Sequence, residues 1–169
     1  TPEDMARTTW HDWAESAGRG LDELRRRCRE VFVAGLSMGG ALTLYLAARH
    51  DIPAAVTFAA AALIKDWRLA FLPAAKHFIK FIPKPNDNDL YDKEAINKIV
   101  TYDRIPLASV SSLIEFTGVV RKSLPDVKCP LLIMHGSGDR TVPLESARYI
   151  HEHAASPEKK LIILEKSGH

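Results

Sequence analysis

The stretch Val31-Phe32-Val33-Ala34-Gly35-Leu36-Ser37-Met38-Gly39-Gly40-Ala41-Leu42 constrains this chain more than any other. A β-branched and aromatic run, the composition of a pleated strand, ends in Gly35-Leu36-Ser37-Met38-Gly39. A run rich in alanine and leucine follows at once and continues to His50, and such residues lose little on entering a helix. Strand, sharp turn and helix around G-x-S-x-G form the context of a nucleophile elbow, in which the serine is forced into a strained backbone conformation. Gly35 and Gly39 are expected to be glycine because a Cβ there would collide with the neighbouring strand and helix. The hydroxyl of Ser37 then stands at the C-terminal end of a strand, and the first amides of the new helix point at it.

The rest of the chain reads as an alternation around that unit. Residues 9–28 form an amphipathic helix, with Trp10, Trp13, Ala14, Ala17, Leu21, Leu24 and Cys28 at steps of three and four. The arginines at 25, 26, 27 and 29 lie in its last turn, where cations suit the helix dipole and a solvated face accounts for them. A strand over 30–36 leads into the elbow. The helix after Ser37 closes near Arg49-His50-Asp51, before Pro53. Residues 54–62 are an uninterrupted apolar run, read as a strand buried on both faces. Strand, helix, strand means a parallel pair with a right-handed crossover. The sheet resumes at 129–136. Pro143 then suits the first position of a helix to about His153, and 160–165 form a last strand.

Residues 63–122 break this texture. Large apolar residues such as Trp67, Phe71, Phe78 and Phe81 alternate with lysines, prolines cut the run into short pieces, and 107–122 show helical spacing. With no strand signal between two strands of one sheet, this stretch is expected to lie outside the sheet as an inserted helical layer. The division is therefore a core of residues 1–62 and 123–169 with a small helical cap over 63–122. The fold class is α/β, a mostly parallel sheet with helices on both faces.

Composition narrows the function. A net charge of +2 is too balanced for nucleic acid or an anionic membrane as the main partner. No apolar run reaches the roughly 18 residues of a membrane span. Cys28 and Cys129 form no C-x-x-C pattern, which fits reduced thiols in a cytoplasmic protein and gives no support to a metal site.

Ser37, Asp139 and His169 stand at the C-terminal ends of three of the expected strands, the edge along which open parallel sheets place their sites. A serine hydroxyl needs a base within hydrogen-bond reach, and the base needs a third group to hold its tautomer. Rival candidates are His135 as base, at the end of the acid strand and expected to pack inside, and Asp126 or Asp103 as acid, neither of which follows a strand. Asp139 also has a plain alternative as a cap of the helix begun at Pro143.

With the elbow, the loop His135-Gly136-Ser137-Gly138-Asp139-Arg140-Thr141-Val142-Pro143, the terminal Ser167-Gly168-His169 and the order Ser, Asp, His, the chain resembles the α/β-hydrolase superfamily. The nearest likeness is to bacterial carboxylesterases and monoacylglycerol lipases with a small helical cap. The resemblance implies Ser37 as nucleophile, His169 as general base and then acid, Asp139 as orienting carboxylate and the Met38 N–H as one oxyanion donor. It implies a small-molecule ester substrate and no cofactor or metal, with Leu36, Met38, Val142, Phe71 and Phe78 near the substrate. The family's earlier strands, its His-Gly loop with the second oxyanion donor and its final helix are not matched, so the chain is expected to be a fragment. An acyltransferase, a C–C bond hydrolase or a ligand-binding protein with little turnover are alternatives with the same residues.

Overall fold

Four parallel strands, Val33–Leu36 (β1), Ala55–Phe58 (β2), Leu131–Gly136 (β5) and Lys159–Leu164 (β6), lie side by side in that order and carry the architecture. In the computed structural model, which describes residues 1–65, 72, 75, 78–83 and 102–169, the chain runs α1 (Pro2–Met5), α2 (Trp10–Arg25), β1 (Val33–Leu36), α3 (Met38–Ala47) and β2 (Ala55–Phe58). It continues through β3 (Phe81–Pro83), β4 (Arg104–Pro106), α4 (Leu107–Ser123), a short 3-10 helix (Leu124–Asp126), β5 (Leu131–Gly136), α5 (Leu144–His153) and β6 (Lys159–Leu164). This is the parallel sheet with helices that the alternation of apolar runs predicts.

Every second residue of a strand shares a face. The register sets Val33, Ala55 and Leu131 side by side, and Gly35, Thr57, Ile133 and Leu161 in the next row on that face. The core lies here: Ala14 and Leu21 of α2, Leu44 of α3, Phe116 and Val120 of α4 and Ile150 of α5 join Ala55, Leu131 and Ile133 in one apolar cluster. The opposite face carries Leu36, Phe58, Met134 and Ile162 in register, with Leu36 56% and Phe58 37% exposed.

Local chemistry explains the helix starts. The Asp12 carboxylate accepts from the Thr9 N–H at 2.8 Å and the Thr9 hydroxyl at 2.9 Å, which fixes the entry to α2. The buried Trp10 N–H, an orphan of that first turn, donates to Ser112 Oγ of α4 at 2.7 Å. Trp10 also stacks on Phe116, with ring centroids 5.3 Å apart.

Three differences from the sequence reading have physical causes. The apolar run 54–62 is strand only through Phe58. Ala59 has φ 44°, its N–H donates to Met134 O at 2.8 Å, and the buried Ala60, Ala61 and Ala62 turn across the end of β1. Small residues are needed there because α3 comes close: a Cβ on Gly40 would sit 2.7 Å from Ala60 Cβ. Secondly, 63–122 contain strand after all, since β3 and β4 pair antiparallel with Phe81 opposite Pro106. Thirdly, α4 is no outlying layer. Phe116 and Val120 are fully buried in the core, and Arg121 donates to Ala62 O at 2.8 Å. Its apolar spacing is that of a core helix, which sequence position alone assigns to the insertion. Among the described residues no helix is long and apolar enough to cross a membrane.

Candidate active site

Ser37 occupies the junction of β1 and α3 with φ 55° and ψ −118°. A non-glycine residue there costs about 1–3 kcal/mol and persists only where its surroundings over-determine it. Its own backbone groups do so. The Ser37 N–H donates to Phe58 O at 2.9 Å, and Ser37 O accepts from Ala41 N at 3.1 Å and Ala61 N at 3.2 Å. The corner is thus tied to the end of β2, the first turn of α3 and the alanine turn. Gly35 makes the close approach possible, because a Cβ there would lie 2.1 Å from Gly39 O. Gly39 itself has nothing within 4 Å of such a Cβ, so the crowding expected at both glycines falls on Gly35 and Gly40. Met38 opens α3, and its amide belongs to the first turn, whose N–H groups have no intrahelical acceptor.

The loop after β5 brings Asp139 to His169. The Asp139 side chain is fully buried, and its carboxylate is ringed by donors. Oδ1 accepts from the Thr141 N–H at 2.9 Å and the Val142 N–H at 2.8 Å, while Oδ2 lies 2.8 Å from His169 Nδ1. These bonds satisfy a charge that burial would otherwise make costly. They also dispose of the capping alternative, since α5 begins only at Leu144 and Asp139 binds the turn before it. A buried carboxylate fixes the imidazole with its proton on Nδ1, which leaves Nε2 as the basic nitrogen.

The segment carrying His169 is sewn to the acid loop. Ser137 N donates to Leu164 O at 2.9 Å and Gly138 N to Ser167 O at 3.0 Å. Lys166 turns the chain with φ 55°. A Cβ on Gly136 would lie 2.4 Å from both Ser167 O and Gly168 O, so the two loops touch backbone to backbone.

The remaining candidates separate. Asp103 and Asp126 are exposed, the latter on the 3-10 helix. Val142 is only 3% exposed and meets the site through its backbone. Leu36 is 56% exposed beside the serine, Met38 is half-buried, and Phe78 is 88% exposed. Phe71 lies outside the described residues. His135 is buried with Nε2 3.0 Å from Val142 O and 3.3 Å from Asp139 Oδ2. Sequence reading treats it as a rival base, and the signal it leaves unused is the spacing His-Gly-x-x-Asp at the end of a strand. Cys28 and Cys129 are free thiols, and burial raises the Cys129 thiol above its usual range. Among the described residues no cluster of His, Cys, Asp and Glu is placed to hold a metal ion.

Over 171 residues the chain is 36% identical to the thermostable monoacylglycerol lipase of Bacillus sp. (strain H-257), covering 99% of this chain and 66% of that protein. It thus spans slightly less than two thirds of that relative. A structure reported for the metagenome-derived lipolytic enzymes LipS and LipT superposes with a TM-score of 0.91 at 31% identity, over 100% of this chain and 69% of the other. The monoacylglycerol lipase of Paleococcus ferrophilus shares the fold, with a TM-score of 0.81 at 17% identity over 96% of this chain and 67% of the other. The model of the Hydrolase_4 family, described as serine aminopeptidase, S33, matches residues 8–169, and the chain belongs to that family of α/β-hydrolases.

Proposed function

We propose that this chain carries the catalytic residues of a serine ester hydrolase, with Ser37 as nucleophile, His169 as general base and acid, and Asp139 as its orienting carboxylate. The observation that carries the reading is the buried Asp139 held 2.8 Å from His169 Nδ1, on the same sheet edge as a serine at φ 55°. Ser37 Oγ attacks the ester carbonyl, and His169 Nε2 takes its proton. The Met38 N–H and the first turn of α3 meet the developing oxyanion. The imidazolium protonates the leaving alcohol, and water activated by the same ring cleaves the acyl-Ser37 ester.

The substrate class follows from likeness rather than from a pocket. A relative at 36% identity is a monoacylglycerol lipase, which favours short- to medium-chain acyl esters or monoacylglycerols. Part of the insertion serves as a cap over the acyl chain, with the exposed Phe78 as one of its apolar contacts. The two free thiols fit a cytoplasmic location.

The test is hydrolysis of p-nitrophenyl esters and labelling by a fluorophosphonate probe in the full-length protein. Ser37→Ala is expected to abolish both. Labelling that persists at another serine, with hydrolysis intact, would remove Ser37 from the mechanism. Acetate, butyrate and octanoate esters compared in Phe78→Asp test the cap. A selective loss on the longest chain supports it, and an equal loss on all three removes it.

A further inference from the structure

We propose that His135 is a positioning residue for Asp139, a fixed neutral donor that holds, through Val142, the peptide segment to which the carboxylate is bound. The proposal rests on the Asp139–His169 pairing argued above. His135 is the penultimate residue of β5, on the core side of the sheet, and its side chain is wholly buried. Its Nε2 stands 3.0 Å from Val142 O and 3.3 Å from Asp139 Oδ2. A carbonyl oxygen only accepts, so Nε2 carries the proton. The other ring nitrogen, Nδ1, is buried and has no hydrogen-bond partner among the described residues. A second proton there would have no acceptor, so the ring is neutral, with Nε2–H given to Val142 O.

This geometry removes His135 as a base, since its one basic nitrogen is sealed away from the serine. It also explains why an imidazole stands where an apolar ring would avoid an unpaired buried nitrogen. Through Val142 O the single N–H holds the residue whose own N–H binds Asp139 Oδ1 at 2.8 Å. With the Thr141 and Val142 amides on Oδ1, Oδ2 is left to receive His169 Nδ1.

The experiment compares His135→Gln, His135→Asn and His135→Leu in the full-length protein. Glutamine places an amide N–H near the position of Nε2, whereas asparagine reaches only that of Nδ1. His135→Asn and His135→Leu are expected to lower kcat on the order of tenfold with KM nearly unchanged. That is less than the roughly hundredfold lost when a reacting group is misplaced by an ångström. His135→Gln is expected to recover most of kcat. In an Asp139→Asn background the same His135 substitutions should cost nothing further, because the group they position is already impaired. Melting temperatures are read alongside. Equal losses for Gln and Asn that follow the melting temperature, or losses that persist in the Asp139→Asn background, would make His135 a packing residue and overturn the proposal. If His135→Leu fails to fold, the Gln and Asn pair still decides. If Asp139→Asn itself leaves kcat intact, it is the assignment of the acid that falls.

Discussion

Single residues at this site are fixed by backbone contacts rather than by their own side chains. Ser37 keeps its strained φ because its N–H and C=O are both engaged by neighbouring elements. Gly136 is glycine because the carbonyls of Ser167 and Gly168 occupy the space of a Cβ. Gly136→Ala is therefore expected to push the His169 segment outward, costing about 1–3 kcal/mol as overpacking does. Turnover should fall more than stability does. Urea denaturation and an ester assay measure the two, and a variant that keeps both would show that the loops yield without moving His169. The acid offers a sharper contrast. Asp139→Asn loses the charge that orients His169, and turnover is expected to fall by up to about four orders of magnitude. Asp126→Asn changes an exposed residue on the 3-10 helix and should leave turnover within about twofold, since surface changes away from such features are nearly neutral. Reversed outcomes would move the acid to Asp126.

Elements were legible in the sequence where one physical signal acts alone. The G-x-S-x-G between an apolar strand and an alanine-rich helix announced the β1–α3 corner. The acid loop was equally plain, because Asp139 and His169 each follow a run of β-branched and leucine residues. What stayed hidden depends on contacts between distant segments. Ala59 leaves the strand because its N–H goes to Met134 O, which no local pattern in an all-apolar run discloses. The role of His135 required seeing its ring against Val142 O. Spacing locates α4 along the chain but not the layer it joins, because it reports an apolar stripe and not what the stripe meets. Its burial makes a prediction. Phe116 is fully enclosed by Trp10, Tyr45 and the sheet-side core. Phe116→Ala should destabilise the fold by about 3–5 kcal/mol. A loss below about 1 kcal/mol in chemical denaturation would return α4 to a peripheral layer.

The molecule as a whole has two unequal faces and an unequal pair of edges. Helices cover the sheet face that bears Val33, Ala55 and Leu131, while the opposite face presents Leu36, Phe58 and Met134. β1 stands at one end of the strand order, and Phe32, just before it, is 62% exposed. An apolar edge strand with open backbone groups is a template for pairing with another chain. The 169-residue chain is therefore expected to self-associate at micromolar concentrations. Phe32→Lys adds a charge beside that edge without touching the elbow, and it should shift the chain toward monomer while leaving its melting temperature nearly unchanged. Light scattering and thermal melting of the two proteins decide. If the unaltered 169-residue chain is monomeric, or Phe32→Lys leaves its association unchanged, the exposed edge is not the site of pairing.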